Sequence, residues 1–96
     1  MTQVPVRFLP TAEEHVTTAY HWYEGQRHGL GSEFLHEIDA FCNRIAQHPR
    51  LCPIHRHTIR RGLLSRFPYL MFYVVEPSSI AVIAVLHAHR KPQDWP

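Results

Sequence analysis

This sequence of 96 residues contains little lysine, little cysteine and no long apolar segment. Its apolar runs, such as LMFYVV at residues 70–75, are far shorter than the roughly 20 residues that a membrane-spanning helix needs. The N-terminal segment MTQVPVRFLP lacks the basic-then-apolar order of a signal peptide. We therefore expect a cytoplasmic protein that does not associate with membranes.

The scarcity of cysteine also argues against a structural metal site. Cys42 and Cys52 do not form a CxxC arrangement, which is the usual basis of a structural zinc site. In a cytoplasmic protein two free thiols are expected rather than a disulfide. A chain of this length is too short for two independent cores, so we expect residues 1–96 to form a single domain.

Positive charge is concentrated in the second half of the chain. Residues 1–49 contain three basic and six acidic residues, whereas residues 50–96 contain seven basic and two acidic ones. Six of those seven basic residues are arginine, and the only lysine of the chain is Lys91. Because the guanidinium fork pairs with carboxylate or phosphate through two bonds, an anionic partner is plausible, although a solvated charged surface would look the same.

The spacing of apolar residues predicts an α+β fold. Thr11 and Glu14 match a capping box at the start of a first helix, which Gly25 would end. Ser32 would cap a second helix, and His48 would end it before a proline. The rest has the pattern of strands whose short connections require antiparallel pairing. The predicted order is an N-terminal strand at 4–9, a helical hairpin, and a three-stranded antiparallel meander with strands at 58–64, 70–75 and 80–89, which is β-α-α-β-β-β.

Two features of the predicted strands could have a function. Alternation places Tyr69 and Met71 on one side of the central strand and Leu70 and Phe72 on the other. The helical hairpin covers only one of these sides, so the other needs a tail, a second chain or a partner to cover it.

The two His-x-His pairs, at residues 55–57 and 87–89, allow several interpretations. Each could contribute to a metal site, but neither has a carboxylate at a supporting spacing, so we predict no metal and no cofactor. His87 and His89 could perform acid–base chemistry on RNA, with nearby arginines stabilising the phosphate. They could also simply end the last strand, on the same side as Ile83 and Val85.

Four segments of the sequence, taken in order, resemble the RelE/ParE superfamily of type II toxin–antitoxin toxins. The resemblance spans about Leu9 to Trp95 and is closer to the ParE-like branch. The lysine-rich segment of RelE-like toxins is absent, and Trp95 stands near the place of their C-terminal tyrosine. The segments are WYEGQRHGLGSEFL, RIAQHP, IRRGLLSRFPYLMFYVV and IAVIAVLHAHRKPQDW.

The resemblance implies a small growth-inhibiting toxin of a type II system, such as those that stabilise plasmids, which a cognate antitoxin neutralises. ParE-like toxins poison DNA gyrase and are not known to cut RNA, so gyrase binding is the expected function, without enzyme activity. The alternative is a RelE-like endoribonuclease that cuts mRNA on the ribosome. The implied assembly is a toxin–antitoxin hetero-oligomer or a homodimer. The predicted target-binding residues are Arg60, Arg61, Arg66, Arg90 and Trp95. The candidate catalytic residues of the alternative are His87, His89, Arg61, Arg66 and Arg90.

Overall fold

The computed structural model describes residues 3–96 and confirms the predicted α+β order. A helical hairpin follows the first strand, and antiparallel strands follow the hairpin. The structure adds one short strand, β2, that the pattern did not predict. The elements are β1 (Val6–Phe8), α1 (Pro10–Gln26), α2 (Leu30–Gln47), β2 (Ile54–Arg56), β3 (Ile59–Leu63), β4 (Tyr69–Val75), β5 (Ile80–His87) and a 3-10 helix (Pro92–Asp94).

All five strands form one mixed sheet in the order β1-β5-β4-β3-β2. The strands from β2 to β5 pair antiparallel, as their short connections require. β1 pairs parallel with β5, because the intervening helices and strands carry the chain back across the sheet. β4 therefore lies at the centre of the sheet, as its continuous apolar run predicts.

The helical hairpin packs on one face of the sheet, where most of the core lies. Met71 and Tyr73 of β4 are fully buried beneath it, together with Phe34 and Ile45 of α2. Each such side chain contributes roughly 1.5–3 kcal/mol on transfer from water. Tyr23 of α1 packs edge-on against Phe67, with ring centroids 4.8 Å apart. The pattern of the sequence predicted this helical layer correctly.

The first helix begins differently from the prediction. Leu9 occupies the cap position without a side-chain hydrogen bond, and Pro10 is the first helical residue. Proline suits that position because its φ angle is already helical and the missing N–H would have no helical partner. The predicted capping box of Thr11 and Glu14 is therefore wrong.

The connection between the two helices also differs. Gly25 lies in the last turn of α1, which ends one residue later at Gln26, and Ser32 lies inside α2 rather than at its cap. Gly29 is the cap residue and has a left-handed φ of 89°, which glycine adopts without strain. The carboxylate of Glu24 accepts hydrogen bonds from the backbone N–H groups of Gly29 and Gly31 at 3.0 and 2.9 Å. These bonds hold the start of α2 against the end of α1.

A β-bulge in β5 changes which side chains share a face. Val82 pairs with Tyr73 and Ala84 pairs with Phe72, so Ile83 is an extra residue between them. Val85 therefore packs with the core under the helices, whereas Ile83 packs on the opposite face. The prediction that the strand-end histidines share a side with both Ile83 and Val85 is wrong for Ile83.

None of the helices within residues 3–96 is long and apolar enough to cross a membrane.

Candidate functional site

Arg60 and Arg61 are neighbours in β3, and their side chains leave the sheet on opposite faces. Arg60 lies on the face of Tyr73, its partner in the ladder, and its Nη1 donates a hydrogen bond of 2.6 Å to the carbonyl oxygen of Cys52. It therefore fastens the loop before β2 to the sheet. A role in which both arginines contact one ligand is not compatible with this geometry.

Arg61 lies on the outer face of the sheet, where the C-terminal segment covers it. Its guanidinium carbon is 4.9 Å from the centre of the Trp95 ring, a cation–π contact. The same indole packs against Phe72 and His55, with ring centroids 5.7 and 5.6 Å away. The C-terminal segment after β5, which we call the tail, thus covers the face of the sheet that the helices leave open, as the sequence allowed.

The cover over the outer face is incomplete. The indole Nε1 of Trp95 is buried without a hydrogen-bond partner, which costs free energy. Leu63, at the end of β3, remains 60% exposed. Leu70 and Leu86 complete the apolar cluster beneath the tail.

Arg66 lies in the loop between β3 and β4 and is tied to α2. Its Nη2 is 2.7 Å from Glu33 Oε1, and its backbone N–H donates to Glu37 Oε1 at 3.2 Å. Arg27 binds the other oxygen of Glu33 at 3.2 Å. Hydrogen bonds from Arg66 and then Arg27 lower the pKa of Glu33. Much of the charge of Arg66 is therefore balanced by the carboxylate of Glu33, in a contact at the protein surface.

His87, His89 and Arg90 lie together where β5 ends. The two imidazole rings are 5.0 Å apart, and the backbone N–H of His89 donates to His87 Nδ1 at 3.1 Å. β5 ends at His87, so His89 stands in the turn after it rather than in the predicted strand. The ring of His87 also packs edge-on against Tyr69 at 5.2 Å. Arg90 is exposed, and its backbone N–H donates a hydrogen bond to the carbonyl oxygen of His87 that closes the turn.

The other pair, at residues 55–57, does not form a shared site. His55 lies in β2 and packs on the outer face against Trp95. His57 lies in the turn between β2 and β3 with a φ of 54°, so alternation along an extended strand does not apply to it.

Sequence reasoning missed His15, which joins α1 to the strand end. Its Nδ1 accepts a hydrogen bond of 3.1 Å from the backbone N–H of Val85, just after the bulge. Burial and then the nearby charge of Arg90 lower the pKa of His15, while Glu14 raises it. His15 lies three residues after Ala12 and four residues before Ala19, which are both buried. This spacing places His15 on the buried face of α1, and it is the sequence pattern that could have identified the residue.

An open groove of about 450 Å³ lies between α1 and the end of the sheet. We call it the strand-end groove. It contains no carboxylate, and four of its seven residues have aromatic rings. The residues that line it are Thr18, Ala19, Trp22, Tyr23, Pro68, Tyr69 and His87.

Of the groups proposed for RNA cleavage, His87, His89 and Arg90 lie together, but the other two arginines are engaged by Trp95 and Glu33. Arg61 is on the outer face, Arg66 is held by Glu33, and His87 lies at the end of β5. The half-buried thiol of Cys42 is not a ready nucleophile, because its partial burial raises its pKa to about 11. No group of three or more metal-binding side chains occurs within residues 3–96.

The arrangement of a strand, a helical hairpin and an antiparallel meander is that of a solved toxin–antitoxin structure. The chain is similar to a structure described as "Chromosomal ParDE TA system from P. aeruginosa", with a TM-score of 0.67 and 12% sequence identity. The match covers 91% of this chain and 98% of the other. At this identity the likeness establishes the fold.

The sequence itself establishes the family. The family described as "ParE toxin of type II toxin-antitoxin system, parDE" matches residues 6–92. The chain therefore belongs to the ParE toxin family, as the resemblance in its motifs predicted. Among curated proteins none matches the sequence significantly.

Proposed function

We propose that this protein is a cytoplasmic toxin that stops growth by binding DNA gyrase and is neutralised by a cognate antitoxin. The observation that carries this proposal is the match to the ParE toxin family over residues 6–92. Of the arginines proposed for RNA cleavage, Arg61 is stacked on Trp95 and Arg66 is paired with Glu33, and this supports gyrase binding over mRNA cleavage. Cutting RNA requires an acid, a base and positive charge around a single phosphate.

The arginines differ in how available they are to a target. Arg60 and Arg66 are engaged by a carbonyl and a carboxylate of the protein itself. Arg90 is exposed and forms no salt bridge within residues 3–96, and Arg61 stacks on Trp95 of the C-terminal tail. We propose that Arg90, with Arg61 and Trp95, contributes most to target binding, and that Arg60 and Arg66 shape the surface around them.

The antitoxin requires a different surface if it is to bind a large part of the toxin. A groove of about 530 Å³ runs between α1 and α2 and is lined by Val16, Leu35 and Ile38, with Glu13 and Asp39 at its edge. Leu35 is 40% exposed there. An amphipathic antitoxin helix with basic residues beside its apolar stripe would complement this groove. We propose it as one contact of the antitoxin.

The proposed target is tested by inducing the chain in cells and following two readouts together. Gyrase poisoning predicts chromosome breaks and altered plasmid supercoiling with intact mRNA. Arg90→Gln should weaken both effects, whereas Arg7→Gln should not, because Arg7 lies on the edge strand β1 and forms a surface salt bridge with Glu76. Cleavage within translated codons, with unbroken chromosomes, would refute gyrase as the target.

A further inference from the structure

We propose that the strand-end groove binds a free nucleotide, with the base stacked on Trp22 and the phosphate held at Arg90. This proposal concerns a small-molecule site and does not depend on the identity of the toxin's target.

The first wall of the groove is one face of α1. His15, Thr18, Ala19 and Trp22 follow one another at the three- and four-residue spacing that aligns side chains along a helix. Trp22 is the last of them and is 58% exposed, although a large apolar ring is normally buried. Within residues 3–96 its one aromatic contact is edge-on to Tyr23, at 5.0 Å and 83°. The flat face of the indole is therefore available to a ligand ring.

The second wall comes from the sheet. Tyr69 and His87 are partners across β4 and β5, and their rings pack edge-on at 5.2 Å. Pro68 closes the end of the groove. A volume of about 450 Å³ falls in the usual range for small-molecule pockets, roughly 300–1,000 Å³. The groove is thus large enough for a mononucleotide.

Positive charge stands at one side of this groove. Its source is Arg90, whose backbone N–H donates a hydrogen bond of 2.9 Å to the carbonyl oxygen of His87, a residue that lines the groove. Burial raises the pKa of Tyr69 and lowers the pKa of His15, and the charge of Arg90 lowers both. An anionic group would therefore find a favourable potential at this side of the groove.

The chemistry of the walls favours a nucleotide over an acidic peptide. The groove presents the rings of Trp22, Tyr23, Tyr69 and His87. Any base can stack on such rings, because each has a π face. The planar fork of Arg90 matches two oxygens of one phosphate. A nucleotide would therefore use both the exposed ring of Trp22 and the charge of Arg90.

The test is a titration of the ¹⁵N-labelled full chain with AMP, followed by NMR. The two tryptophans give two indole N–H signals, which Trp95→Phe assigns. We expect the signal of Trp22 to shift saturably, with a dissociation constant below about 1 mM. The signal of Trp95, on the other face of the sheet, should stay in place and serves as an internal control.

Variants and related ligands test each half of the site. Arg90→Gln should weaken AMP binding at least tenfold, whereas Lys91→Gln, its neighbour, should change it less than threefold. Adenosine and inorganic phosphate should each bind at least tenfold more weakly than AMP. Circular dichroism confirms that each variant is folded.

Three results would overturn the proposal. The first is no saturable shift of Trp22 up to 10 mM AMP, a limit about ten times the expected constant. The second is equal binding of AMP and adenosine, since Arg90 would then have no phosphate to hold. The third is a saturable shift with an acidic, aromatic peptide such as Glu-Asp-Phe but none with AMP, which would make the groove a peptide site. A failure here leaves the gyrase assay unaffected, because that assay measures chromosome breaks in cells.

Discussion

Gly62 of β3 packs directly against the ring of Phe41 in α2. A Cβ atom placed there would lie 2.6 Å from the Sγ of Cys52 and 2.7 Å from two ring atoms of Phe41. Ordinary contacts of a Cβ atom are 3.4–4 Å, so a methyl group requires a shift of nearly an ångström. Phe41 is only 2% exposed and packs against Tyr73, and the strand is held in register by Met71 of β4. Neither the ring of Phe41 nor strand β3 can therefore move freely.

Gly62→Ala should therefore destabilise the protein by overpacking, at a cost of about 1–3 kcal/mol. The loss of backbone freedom in the unfolded chain offsets roughly 0.4–1 kcal/mol of this. A net loss of 1 kcal/mol would lower the melting temperature by about 4–8 °C in a domain of this size. Urea denaturation followed by circular dichroism measures the change.

Gly25→Ala is the matched control for this prediction. Gly25 lies in the last turn of α1, and nothing stands within 4 Å of a Cβ atom built on it. Alanine is the better helix former, so this variant should be as stable as the original or more stable, by up to about 1 kcal/mol. If Gly62→Ala were as stable as Gly25→Ala, the close packing of β3 against α2 would be refuted.

Two further variants test the contacts that join distant parts of the chain. Burial and the charge of Arg90 lower the pKa of His15 in the folded protein below 6.5, its value in the unfolded chain. The unfolded chain therefore binds a proton more readily than the folded protein does. The contribution of neutral His15 to the free energy of unfolding is complete above pH 6.5 and declines as the pH falls below that value. His15→Gln should flatten this decline in urea midpoints measured between pH 8 and 5, and an unchanged slope would contradict the assignment. Trp95→Ala should cost about 1–3 kcal/mol, less than the 3–5 typical of a fully buried ring, because the indole is only half-buried and its N–H is unsatisfied. Trp95→Phe keeps the ring contacts and removes that N–H, so its urea midpoint should stay close to the original; an equal loss in both variants would show that ring packing does not hold the tail.

The order and type of the elements were determined by the sequence itself. A strand alternates with a period of two and a helix with a period of 3.6, and both periods are visible in one chain. The same alternation puts Arg60 and Arg61 on opposite faces of β3, as they are in the structure. It also separated Tyr69 and Met71 from Leu70 and Phe72, and the structure shows that the helices cover the first pair. The starts of the helices were predicted less well. Pro10 begins α1 in place of a cap at Thr11, and the carboxylate of Glu24, not Ser32, binds the N–H groups at the start of α2.

The partners of the candidate residues were decided only by the tertiary structure. A single extra residue, Ile83, shifts the alternation of β5, and no local pattern shows where such a bulge will occur. The bond from Val85 to His15 joins residues 70 positions apart, and the contact of Arg66 with Glu33 joins residues 33 positions apart. Periodicity specifies the face on which a side chain lies. The register of the strands and the docking of the helices specify what it meets there, and these depend on the packing of the whole core.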